Sequence, residues 1–133
     1  MDENQIAEQI VDAALQVHGV LGPGLLESVY QAALAYELEK RGLRVARQPA
    51  IPVVYETIRI DTGFHADLIV EDKVIVEIKS VETVAPVHKK QLLSYLKLAD
   101  KRLGLLINFN VVLIKNGITR IVNRLPEDLS CRR

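Results

Sequence analysis

The hydrophobic period of this chain changes twice, and each change restricts the folds open to it. Apolar residues recur at helical spacing from about residue 4 to residue 41, give way to short strand-like runs from 43 to 80, and return to helical spacing only between about 85 and 99. Asn4 is the expected N-cap of a first helix carrying Ile6, Ile10, Val11, Ala14 and Val17 and ending near His18 and Gly19. Gly22-Pro23-Gly24 then forces a turn, and Leu26, Val29, Tyr30, Ala33, Leu34 and Leu38 describe a second helix from Leu25 to Arg41, closed by Gly42. Strands are expected at 43–48, 51–55, 58–60, 64–70 and 74–80, forming a meander. After the third helix come expected strands at 105–109, 111–114 and 118–122, the last two joined by an Asn116-Gly117 hairpin. The order predicts α/β or α+β layering, with a mixed sheet flanked by helices and a right-handed βαβ crossover from 74–80 through the third helix to the strand near Leu105.

At 133 residues, 49% of them hydrophobic, the chain suits one domain, residues 1–133, with its own core. A single cysteine, Cys131, excludes an internal disulfide framework and a cysteine zinc cage, so any metal is expected on oxygen ligands. No stretch reaches the roughly 18 apolar residues of a membrane span, and the expected location is the cytoplasm. Seventeen basic and seventeen acidic residues cancel, which argues against indiscriminate binding to polyanions. The cancellation hides a split: residues 1–40 hold seven acids and one base, the rest ten acids and sixteen bases. This is either a solvated helix face in each half or a positive flank beside a cleft. Lys89, Lys90, Lys97, Lys101 and Arg102, on and just after the third helix, are the candidate phosphate contacts, without aromatic residues interleaved for base stacking.

Two neighbouring expected strands break their apolar pattern with charge: Phe64-His65-Ala66-Asp67-Leu68-Ile69-Val70 and Val74-Ile75-Val76-Glu77-Ile78-Lys79-Ser80. Residues two apart share a face, so His65, Asp67 and Ile69 form one set and Ile75, Glu77 and Lys79 another. A two-residue turn at Glu71-Asp72 would set Asp67 opposite Val76. A three-residue loop, Glu71-Asp72-Lys73, pairs Val70 with Val74 and sets Asp67 opposite Glu77, which is the register expected here. Two carboxylates across a ladder repel unless a cation or shared proton intervenes. Mg²⁺ is suited to such a site, with the Ile78 carbonyl as a third oxygen and Lys79 in reach of the water or phosphate there. The competing reading makes Asp67 and Glu77 solvated charges paired with Lys79 and nearby arginines. Glu27 opens the second helix with Tyr30 and Gln31 on its face, and Gln91 shares a face with Tyr95; helix geometry explains each without function. His65 and His88 are isolated.

Together, Gly24-Leu25-Leu26-Glu27-Ser28-Val29-Tyr30 resembles the signature of the GxxExxY protein family. His65 to Val70 followed by Val76-Glu77-Ile78-Lys79 resembles the Asp…Glu-x-Lys core of the PD-(D/E)XK nuclease-like superfamily, and Gln91-Leu92-Leu93-Ser94-Tyr95 the QxxxY motif of its RecB-type branch. The resemblance spans roughly residues 5–125 and includes the closing run Gly104 to Phe109. It implies an α/β restriction-endonuclease-like core: a central mixed sheet with helices on both sides. It also implies a metal, Mg²⁺ or Mn²⁺, held by Asp67, Glu77 and the Ile78 carbonyl, with Glu27 a ligand directly or through water, as in resolvase-like and RecB-like members. Lys79 would position the attacking water, and Gln91 and Tyr95 would support the site or touch the scissile strand. Ala66 stands in place of the proline before the aspartate, a position that varies in the superfamily, and His65 is a candidate phosphate contact or metal-site neighbour.

The implied activity is metal-dependent hydrolysis of nucleic-acid phosphodiesters, DNA before RNA. The alternative is a module that keeps the fold and binds nucleic acid or protein without cleaving. A homodimer or partner protein could supply the surface that a domain this small lacks for gripping DNA.

Overall fold

The computed structural model describes residues 1–125. Cys131 and the rest of 126–133 lie outside the described residues.

Helix α1 runs Glu3–Leu21 and helix α2 Glu27–Lys40. The N-cap of α1 is Asp2 rather than Asn4: Asp2 Oδ1 accepts from Gln5 N–H at 2.8 Å, and Gln5 Oε1 accepts from Asp2 N–H at 2.9 Å. This reciprocal box starts the helix two residues early. Asn4 instead accepts a 2.6 Å bond from Arg120 Nη2. At the other end α1 continues past His18, because Gly22, at φ +73°, is where the chain turns and returns its N–H to the His18 carbonyl.

The strands are β1 Val45–Arg47, β2 Ala50–Tyr55, β3 Ile58–His65, β4 Leu68–Val70, β5 Val74–Lys79, β6 Leu103–Asn108 and β7 Ile118–Val122, with helix α3, Pro86–Ala99, between β5 and β6. Five form a mixed sheet in the order β1-β4-β5-β6-β7, while β2 and β3 make a separate two-stranded hairpin. The expected meander is therefore wrong: β1 pairs with β4 and not with β2, and 64–70 is not one strand. The chain leaves the hairpin at His65 and enters the sheet at Leu68. Ala66 N–H donates to the Pro49 carbonyl and Gln48 N–H to the Asp67 carbonyl, fixing the transfer between sheets. The β5–α3–β6 connection joins parallel strands, Val74 level with Leu103 and Lys79 with Asn108.

The expected strand at 111–114 is absent and Asn116-Gly117 is not a hairpin turn. Ile114–Gly117 forms a 3₁₀ turn, and β7 pairs antiparallel with β6. Packing overrides the local turn signal here. His18 Nε2 lies 2.8 Å from the Val111 carbonyl, Ile114 is buried in the core, and a side chain at Gly117 would run its Cβ into the Asn108 carbonyl oxygen.

Alternation along the sheet divides the core. Leu68, Val70, Val74, Val76, Ile78, Leu103, Leu105 and Ile107 pack under α1 and α2, while Ile69, Ile75 and Leu106 pack under Leu92 and Leu96 of α3, joined by Ile51 from the hairpin. Helices thus cover both faces, the arrangement a largely buried central strand such as β5 requires.

Candidate active site

Strands β4 and β5 pair Val70 with Val74, Ile69 with Ile75 and Leu68 with Val76, so the three-residue register holds. Glu71 and Asp72 both turn at positive φ, +54° and +55°, and Lys73 N–H closes on the Val70 carbonyl at 3.0 Å. Past the last rung, side chains replace the ladder. Asp67 Oδ2 accepts from Ile78 N–H at 2.7 Å, and Glu77 Oε2 accepts from Asp67 N–H at 2.8 Å. Two carboxylates thus take the place of backbone carbonyls at the frayed end of a strand pair. Ile78 N–H points toward β4, and in a strand the N–H and C=O of one residue face the same neighbour. The Ile78 carbonyl therefore faces the same open edge.

Helix α2 closes the site from the other side. Glu27 Oε2 accepts from Ser80 N–H at 3.2 Å, Ser80 Oγ donates to the Leu25 carbonyl at 2.6 Å, and Gln31 Nε2 donates to Asp67 Oδ1 at 3.2 Å. Tyr30 sets where this helix begins. Its ring is fully buried and stacks on Phe109 with centroids 4.4 Å apart, while its hydroxyl donates to the Gly22 carbonyl at 2.5 Å and accepts from Leu25 N–H at 3.0 Å. The glycine-to-tyrosine spacing has a physical basis. Gly24, at φ +94°, turns the chain, Tyr30 pins the turn from within the core, and Glu27 is delivered to the end of β5. Behind Ser80, Asn108 holds Val81 on both sides, accepting from its N–H at 3.1 Å and donating to its carbonyl at 2.9 Å.

The electrostatics follow from burial. Glu77 is 7% exposed and is pushed from its ordinary value of 4.5 up to about 7, first by burial and then by repulsion from Asp67, against the Asp67 N–H bond and attraction to Lys79. Asp67 is raised as well, chiefly by burial, opposed by the Ile78 N–H and by Lys79. Glu27 adds repulsion to both carboxyls. Tyr95 is raised by burial and then by the charges of Glu77 and Asp67; its ring stacks on Phe64 at 3.7 Å. Among the described residues Lys79 is the one cation that offsets the two acids, against the added negative charge of Glu27, so the described part of the site carries excess negative charge in a desolvated position.

Not every expected site residue gathers here. Gln91 is exposed on α3, one turn before Tyr95. His65 is exposed at the end of β3, opposite Ala50. His88 caps α3, its Nδ1 accepting from Ala85 N–H at 3.2 Å. The expected basic flank does not form one patch. Helix α3 starts at the site end of β5 and runs back to where β6 begins, so exposed Lys89 and Lys90 lie toward the site while Lys97 recedes from it. Arg102 is exposed at the far end, and Lys101 is paired with Asp72 at 2.9 Å in the β4–β5 turn, at the end of the strands opposite Asp67 and Glu77. Lys101 is thereby withdrawn from the candidate phosphate contacts.

Comparison with known families gives a match to the PD-(D/E)XK nuclease superfamily over residues 4–121, nearly the whole chain. The chain belongs to the PD-(D/E)XK nuclease superfamily. Among solved structures, that of an alkaline exonuclease from Laribacter hongkongensis is similar, with a TM-score of 0.44 and 16% identity over 88% of this chain and 82% of that one. Comparison with curated proteins gives no match.

PD-(D/E)XK nucleases generally use divalent metals, and the donors of this member suit a hard cation: carboxylates and a carbonyl, with no sulfur or imidazole in the set. Each oxygen of Asp67 accepts one hydrogen bond and keeps a lone pair, and Glu77 Oε1 accepts none from the described residues. The excess negative charge fits the same conclusion. Glu27 is less directly placed, because its Oε2 is engaged by Ser80, and among the described residues no three His, Cys, Asp or Glu side chains form a ready-made cage. In this PD-(D/E)XK domain, as among all the described residues, no helix is long and apolar enough to cross a membrane.

Proposed function

We propose that this chain is a cytoplasmic nuclease of the GxxExxY branch that hydrolyses phosphodiester bonds of nucleic acid, DNA in preference to RNA, using Mg²⁺ or Mn²⁺. The observation that carries this reading is the facing pair Asp67 and Glu77 at the end of the β4–β5 ladder, with the Ile78 carbonyl on the same edge. These three groups would hold the ion, and Glu27 would reach it through water. When bound, the ion supplies Lewis acidity at the phosphate and offsets the repulsion between the carboxylates.

The chain's own groups perform the rest. Lys79, two residues beyond Glu77 on the same strand face, is a cation that attracts both carboxylates, and its ammonium would orient the attacking water and offset charge on a phosphoryl oxygen. Glu27 holds Ser80 N–H and thereby fixes the chain immediately after Lys79. Tyr95, its ring stacked on Phe64, would present its phenol to the leaving strand, with Gln91 one turn away on α3 to contact it. Lys89 and Lys90, at the end of α3 nearer the acids, would bind phosphates flanking the scissile one, with His65 a more distant candidate.

The test is cleavage of linear duplex DNA, single-stranded DNA and RNA with Mg²⁺, Mn²⁺ or EDTA, by the wild type and by Asp67→Ala and Glu77→Ala. Metal-dependent cleavage lost in both variants supports the reading. Salt-dependent binding with no cleavage under any condition would make the chain a non-catalytic module on the nuclease fold.

A further inference from the structure

Gln31 is 7% exposed on the inner face of α2, beside Tyr30, Leu34 and Ala35, where an apolar residue would serve packing as well. A buried primary amide costs stability unless it is hydrogen-bonded. The partner it finds is Asp67: Nε2 donates to Oδ1 at 3.2 Å. We propose that Gln31 is a positioning residue, which orients the Asp67 carboxylate for the divalent cation while leaving its charge intact. The inference rests on the metal-dependent reading above and adds a residue that the glycine, glutamate and tyrosine spacing does not include.

The argument is one of geometry and charge. Asp67 can rotate about Cα–Cβ and Cβ–Cγ, and a single bond from Ile78 N–H to Oδ2 at 2.7 Å leaves the carboxylate free to swing about that contact. The bond from Gln31 to the other oxygen comes from a different element, a helix rather than a strand, and two anchors define the plane. Each oxygen then presents its remaining lone pair in a set direction.

The identity of the donor matters as much as its position. A lysine or arginine in place of Gln31 would bind Asp67 more strongly but would neutralise the charge that attracts the cation. A glutamate would add a further carboxylate beside Asp67, Glu77 and Glu27 and leave Asp67 Oδ1 without its donor. The amide orients without doing either. It also lies on the helix that Glu27 opens, one turn along, so α2 holds both the chain after β5 and the carboxylate at the start of β4.

The experiment compares wild type, Gln31→Met and the Asp67→Ala/Glu77→Ala double variant by calorimetric titration with Mn²⁺ alone, alongside folding midpoints in EDTA and steady-state cleavage of DNA. Gln31→Met keeps length and apolar packing but removes the donor. It is expected to weaken Mn²⁺ binding about tenfold, the loss typical of removing a group that orients a metal ligand. The expected kinetic signature is a lower kcat at fixed Mn²⁺ with KM for DNA within about twofold, and a folding midpoint in EDTA no lower than wild type. Mn²⁺ affinity equal to wild type in Gln31→Met would overturn the proposal and leave the metal site standing. Wild type that binds Mn²⁺ no better than the double variant would overturn the metal-dependent reading and the role of Gln31 with it. A midpoint lowered in EDTA together with unchanged affinity would reduce Gln31 to a packing residue.

Discussion

Replacing Glu77 by glutamine should make the metal-free protein more stable, and more so as the pH rises. Glu77 titrates near 7 in the folded protein against an ordinary 4.5, so the fold disfavours its ionised form. Below both values the carboxyl is protonated folded and unfolded, and no penalty exists. Above both it is ionised in each state, and the folded protein bears the full difference, about 3 kcal/mol at 1.36 kcal/mol per pH unit. Stability present in acid is therefore lost between about pH 4.5 and 7. At pH 5 about 1 kcal/mol has already been lost, which leaves about 2 kcal/mol to disappear between pH 5 and 8. Glutamine retains an oxygen to accept from Asp67 N–H but cannot ionise, so the variant escapes this slope. For a domain of this size the difference amounts to several degrees in melting midpoint. The assay is thermal unfolding of wild type and Glu77→Gln in EDTA at both pH values. The gap should open in favour of glutamine at pH 8, and Mg²⁺ added at pH 8 should raise the midpoint of the wild type alone. A gap that stays constant across pH would refute the raised titration of Glu77 in the fold.

Lys79→Ala should lower kcat by at least tenfold while leaving Mn²⁺ affinity within a few-fold, which separates a charge acting on the phosphate from a metal ligand; single-turnover cleavage at saturating Mn²⁺ checks it. Tyr30→Phe removes the hydroxyl that bridges Gly22 and Leu25 and should cost about 1–3 kcal/mol of stability by urea unfolding, with the ring stack on Phe109 retained. Gly117→Ala must push Cβ into the Asn108 carbonyl and should destabilise by about 3 kcal/mol or more, or leave the protein insoluble on expression. Lys89→Glu/Lys90→Glu should weaken DNA binding and flatten its salt dependence, whereas Lys101→Met should leave both unchanged and cost at most about 1 kcal/mol through loss of its pair with Asp72.

What the sequence disclosed here depended on whether a feature was local or relational. The register of β4 and β5 was legible because Ile69 and Ile75 must share the buried face under α3, and the loop length that achieves this also brings Asp67 to Glu77. Acids interrupting apolar runs marked the candidate site, because their burial has to be offset by hydrogen bonds such as those from Asp67 N–H and Ile78 N–H or by a cation. The separate hairpin was not legible. Its boundary at Ala66 is set by backbone bonds to Pro49 and Gln48, which leave no trace in residue type. Asn116-Gly117 misled because glycine there serves close approach to Asn108 rather than a two-residue turn. Lys101 looked like part of a basic cluster along the chain, yet folding sends it to the opposite end of the sheet from the acids.

The junction at Ala66–Asp67 gives the β2–β3 hairpin the character of an interchangeable cassette. Both of its ends are tied at one place, Ala66 to Pro49 and Gln48 to Asp67, and Ile51 and Phe64 anchor its base, so changes nearer the tip leave the point and phase at which the chain re-enters the sheet fixed. The exposed tip, around Tyr55 and Ile58, can lengthen, shorten or change sequence in paired steps without moving Asp67. A change of one residue between Phe64 and Asp67, by contrast, would shift the phase and turn the carboxylate to the other face of the sheet. New contacts can be grafted onto this domain at the tip of the hairpin, and its chemistry is most exposed to insertions and deletions at the root.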